Sequence, residues 1–79
     1  MSMRLTETLG LLSQARQYVI DGEGYVSRQK ALVERLERVG VDTSDAMTYL
    51  ETLEEMQDEY IAHVEKLERQ VLVLVKSDD

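Results

Sequence analysis

The stretch "YVIDGEGYV", residues 18–26, decides the fold. Locally it has the form of a β-hairpin: Tyr18, Val19 and Ile20 enter, Asp21-Gly22-Glu23-Gly24 turn, Tyr25 and Val26 leave. A strand pair needs a period of two. Over a longer window the period is helical instead. Leu12, Ala15, Val19, Gly22, Val26, Gln29, Val33 and Leu36 step alternately by three and four. A second row, Leu11, Tyr18, Tyr25, Leu32 and Val39, lies beside it at intervals of seven. Both rows pass through "DGEG" in phase, which a turn there has no reason to preserve. The longer pattern therefore predicts one helix over about residues 3–39.

In that helix the two glycines differ. Gly22, like Ala15, falls on the apolar seam, where a small residue allows a close helix approach. The alternative is that it is merely tolerated. Gly24 falls off the seam and only weakens the helix, by roughly 1 kcal/mol against Ala. The stop is at "ERVGVDTSDAM". Gly40 suits the left-handed position after the last turn, with Val41 placed as in a Schellman motif. Asp42, Thr43 and Ser44 are all good N-caps, and an Asp42 cap would bring Val41 and Ala46 together as a hydrophobic staple.

A second helix is predicted over about residues 43–76. Ala46, Leu50, Leu53, Gln57, Tyr60, Val64, Leu67, Val71 and Leu74 keep a strict heptad, widened by Met47, Met56, Ile61 and Val75. A connection near residues 40–43 is short enough to force an antiparallel pair. The fold class expected is all-α: two long antiparallel helices in a single helical-hairpin domain over 1–79. Each stripe is broader than one partner helix can cover, so dimerisation into a four-helix bundle is the simplest remedy. Self-association is expected through Leu5, Leu9, Leu12, Tyr18, Tyr25, Leu72, Val73 and Val75. It should be strongest at the open end, where "VLVLV" (71–75) covers the whole circumference of a helix. Gln29 and Gln57 interrupt the seams; they either set the register or lie at a wet edge.

The stretch from Ala15 to Gln57 resembles a group of short bacterial proteins with no assigned function, of helical-hairpin pattern. The shared features are G-E-x-x-x-x-R-Q (Gly22, Glu23, Arg28, Gln29) and L-E-R-x-G-x-D-T (Leu36, Glu37, Arg38, Gly40, Asp42, Thr43). Where that group tends to carry histidines, this chain has Tyr18 and Tyr25, so no metal or proton-transfer role follows there.

Composition narrows the function. Seventy-nine residues without cysteine hold no disulfide and no thiolate metal site. Absence of cysteine and of a signal-like segment fits a cytoplasmic location. The net charge is −7, with +1 over residues 1–41 and −8 over 42–79. Such a surface opposes nucleic acid and acidic membranes. The densest acidic run is Glu51, Glu54, Glu55, Asp58 and Glu59. It is expected to face Arg28 and Lys30 across the hairpin rather than hold a metal. His63, the sole histidine, opens "HVEK", loosely similar to the His-x-x-Lys of histidine phosphotransfer domains. Leu67 follows where those domains have a small residue. No phosphate loop, nucleophile elbow or zinc motif is present, so no catalytic, cofactor-binding or metal residues are assigned. The function expected is a non-enzymatic interaction and oligomerisation module that forms a homodimer. A histidine phosphoacceptor at His63 is the alternative, and an acidic antagonist of a nucleic-acid-binding protein a third.

Overall fold

A computed structural model describes residues 3–77. Helix α1 runs Met3–Val39 and helix α2 runs Ser44–Ser77. They lie antiparallel as a hairpin of 62 × 14 × 12 Å. The described residues thus form the expected all-α hairpin; of the 1–79 span, residues 1, 2, 78 and 79 lie outside them. Residues 18–26 are helical throughout, and "VLVLV" is helical as well.

The seam follows the sequence periodicity. Leu5, Thr8, Leu12, Ala15, Gly22 and Val33 are buried on α1, and Leu67 on α2. The heptad positions of α2, from Ala46 through Leu50, Leu53, Gln57, Tyr60, Val64 and Val71 to Leu74, are half-buried. The tightest packing lies towards the open end, where Leu12, Ala15 and Leu67 form a core flanked by Val64 and Val71. Thr8 is admitted to this seam because its hydroxyl donates to the Arg4 carbonyl one turn back, at 2.8 Å.

The turn is built from local chemistry. Gly40 takes φ +82°, where a side chain would be strained. Its N–H donates to the carbonyl of Glu37 at 3.1 Å, and the Val41 N–H donates to that of Leu36 at 3.1 Å. These are the two bonds of a Schellman motif. Helix α2 starts one residue later than the sequence suggests: Thr43 supplies the first accepting carbonyl, to Met47 N–H at 2.8 Å. Asp42 caps from just outside. Its Oδ1 accepts the Ser44 N–H at 3.0 Å and the Ser44 hydroxyl at 2.7 Å. Both bonds favour the ionised carboxylate and hold its pKa below the ordinary 3.8. Val41 stays half exposed beside this turn.

The two helices meet about one turn out of the register that loop position alone suggests. Gln57 meets Val19 and Gly22, and Gln29 meets Ala46. The two glutamines are thus about two turns apart along α1, where sequence position suggests about one. The pairing expected for Arg28 and Lys30 is not what forms. The Arg28 guanidinium sits over the Tyr25 ring, 5.0 Å from its centroid. Lys30 shares a groove with Glu23, Glu34, Glu54 and Asp58 without reaching ion-pair distance of any. The ion pair seen among the described residues is Arg16–Glu68, at 3.1 Å on the surface.

Candidate interaction surface

Two flanks border the seam, and their chemistry is opposite. One consists of the residues just before alternate seam positions. On α1 these are Arg4, Leu11, Tyr18, Tyr25, Leu32 and Val39. On α2 they are Tyr49, Met56, His63, Gln70 and Ser77. The other consists of residues just after: Leu9, Arg16, Glu23, Lys30 and Glu37, then Met47, Glu54, Ile61, Glu68 and Val75. Antiparallel pairing sets like rows side by side. The first flank carries a single formal charge, Arg4. The second carries Arg16, Glu23, Lys30, Glu37, Glu54 and Glu68.

The grooves between the helices differ in charge balance: those of the first flank hold two carboxylates and two cations, those of the second six carboxylates and two cations. On the first flank, at mid-length, a groove of about 370 Å³ is lined by Tyr18, Asp21, Gly22 and Tyr25 of α1. Tyr49, Leu53, Met56, Gln57 and Tyr60 of α2 complete it. All four tyrosines of the chain therefore meet in one place. Tyr18 and Tyr60 are in ring contact, with centroids 5.8 Å apart and planes tilted by 35°. Towards the open end, Leu11 and Val73 line a further groove on this same side, with Arg4, Glu7, Thr8, Arg69 and Gln70. The second flank has the acidic groove around Lys30 and, nearer the open end, a short apolar strip of Val19, Ile20, Ile61 and Val64. The Arg16–Glu68 pair closes that strip.

The floor of the tyrosine groove is a polar contact at the helix seam. Gln57 Nε2 donates to the Val19 carbonyl at 2.8 Å. Its Oε1 is buried without a hydrogen-bond partner and lies against Gly22. A Cβ at Gly22 would collide with that amide. Gln29 makes the matching cross-helix bond to the Ala46 carbonyl, at 2.9 Å. Each glutamine thus ties its helix to the backbone of the other.

The residues proposed for self-association do not form one surface. Leu5 and Leu12 are 6% and 4% exposed and are already covered within the hairpin; they stand on the seam, which the partner helix of the same chain occupies. Tyr18, Tyr25 and Val73 share the tyrosine flank. Leu9 and Val75 belong to the charged flank, and Leu72, about 100° round α2 from Val73, turns away from the tyrosines. Ala15 and Gly22 are both buried at the seam. The sequence argument does not single out Tyr49, Tyr60 and His63 as surface partners of Tyr18 and Tyr25. The interval of seven through Tyr49, Met56 and His63 is a signal for it, but only once the rows of two antiparallel helices are set side by side.

His63 is exposed. No group of three or more His, Cys, Asp or Glu that could hold a metal occurs among the described residues. No helix among them is long and apolar enough to cross a membrane. No protein family, curated protein or solved structure matches the chain.

Proposed function

We propose that the protein is a non-enzymatic interaction module: a helical hairpin that pairs with a second copy into a four-helix bundle and offers its remaining acidic surface to a protein partner. The observation that carries this is the imbalance of apolar side chains. Among the described residues, fifteen large hydrophobic residues stand exposed, while five hydrophobic residues are buried. A two-helix domain of this size holds a thin core and lacks a disulfide, so a second layer is the remaining source of burial. At −7, nucleic acid and anionic membranes are unfavourable partners.

Sedimentation equilibrium together with thermal melting by circular dichroism tests this. The expected result is a dimer whose melting temperature rises with protein concentration. A monomer at all concentrations, with a concentration-independent melt, overturns it.

The exposed imidazole of His63 supports a second reading, a phosphoacceptor. That reading requires an acid-labile phosphate on His63 after exposure to a phosphoryl donor, lost in His63→Gln. It also requires His63 to stay accessible in the assembled protein.

A further inference from the structure

Resting on the self-association reading, we infer that the second copy seats on the tyrosine flank, along the full length of the hairpin, and leaves the charged flank free. The contact chemistry is that of an uncharged aromatic and thioether surface meeting its own copy.

Charge makes the choice between flanks. Each copy carries −7, so two copies repel least where carboxylates are few and balanced by cations. Burying the charged flank would strip water from Glu23, Glu37, Glu54 and Glu68, with two cations, Arg16 and Lys30, on the same flank. Unpaired burial of that kind is costly. The tyrosine flank presents Leu11, Tyr18, Tyr25, Tyr49 and Met56, and its grooves hold two carboxylates, Asp21 and Glu7, balanced by two cations, Arg4 and Arg69. Tyrosine and methionine are enriched at interface cores, and charged residues are depleted there. In a lone antiparallel pair the flanking rows are ordinarily charged. A flank whose mid-length row is uncharged on both helices, as at Tyr18, Tyr25, Tyr49 and Met56, is the mark of a further helix layer.

Size agrees. A face 62 Å long and 14 Å across has a footprint of roughly 870 Å², against about 800 Å² per partner in a standard specific interface. The rim agrees as well. One step further round each helix come Glu7, Asp21, Arg28 and Arg35 on α1, and Asp45, Glu59 and Lys66 on α2. A rim of both signs can pair across copies. The tyrosine groove lies at mid-length, so a two-fold axis through or along it keeps the copies overlapped end to end.

The absence of cysteine makes single thiols clean probes. Tyr25 and Ile20 are 55% and 59% exposed in the single hairpin, so Tyr25→Cys and Ile20→Cys start from equal accessibility. In samples that sediment as dimers, the Tyr25→Cys thiol should react with a disulfide-exchange reagent about tenfold more slowly. The difference should vanish on dilution to monomer. A Tyr25→Cys protein that has become monomeric while Ile20→Cys stays dimeric supports the same face. Tyr25→Lys should weaken the dimer by about tenfold or more, and Ile20→Lys by less than about twofold. Equal thiol rates in a dimer, or slower reaction at Ile20→Cys, overturn the choice of face while leaving self-association standing. A wild-type chain that is monomeric throughout overturns self-association itself, and this inference with it.

Discussion

Gly22 and Gly24 stand two residues apart in one helix and carry opposite consequences. A Cβ at Gly24 would meet only the Arg28 Nη1 atom, at 3.7 Å. Nothing there needs glycine, so its cost is entropic alone. Gly24→Ala should raise stability by roughly 0.5–1 kcal/mol, read from the urea midpoint. Gly22 is different because the Gln57 amide occupies the place of its missing side chain. Gly22→Ala should cost roughly 1–3 kcal/mol, since the amide must leave its bond to Val19. A double-mutant cycle checks the cause: combined with Gln57→Ala, most of the Gly22→Ala cost should disappear. If the penalty persists without the glutamine, it comes from backbone contact between the helices instead.

Among the elements, the turn is the one whose behaviour with pH can be signed. The Asp42 carboxylate caps Ser44, and its pKa lies below the ordinary 3.8 when folded. A depressed folded pKa means the cap contributes fully above the unfolded value and is lost as pH falls through the folded one. Asp42→Ala should therefore lower stability at neutral pH, with a deficit that is flat above about pH 5. The deficit should shrink below pH 3.8. Denaturation curves of both proteins across that window test it; a deficit that is constant down to strong acid would show that the cap acts through its shape and not its charge. Helix α2 gains from this cap because its first turn otherwise leaves N–H groups unsatisfied.

For the whole molecule, the open end separates two neighbouring residues. Val73 lines a groove with Leu11 on the tyrosine side, whereas Leu72, 60% exposed, points elsewhere by helical phase. With the second copy on the tyrosine flank, Val73→Lys should raise the dimer dissociation constant by about tenfold. Leu72→Lys should change it by less than about threefold. Sedimentation of the two single variants decides this, and the reverse order would place the contact on the charged flank. Either way, the five apolar residues 71–75 are not one patch, because a helix spreads them over its circumference.

Residue periodicity determined that "YVIDGEGYV" is helical and that Leu12, Ala15, Gly22 and Leu67 belong to the seam, and the capping residues determined that the chain turns at Gly40. Those features depend on spacing, capping and glycine's access to positive φ, which are local and act within one helix or turn. The register did not follow from spacing, because spacing within one helix does not fix how far the other helix is set along it. The register decides that Gln57 rests on Gly22. Arg28 meanwhile finds the Tyr25 ring, three residues back on its own helix. The gathering of Tyr18, Tyr25, Tyr49 and Tyr60 is likewise tertiary: two rows some thirty residues apart in sequence become one surface only when antiparallel packing sets them side by side.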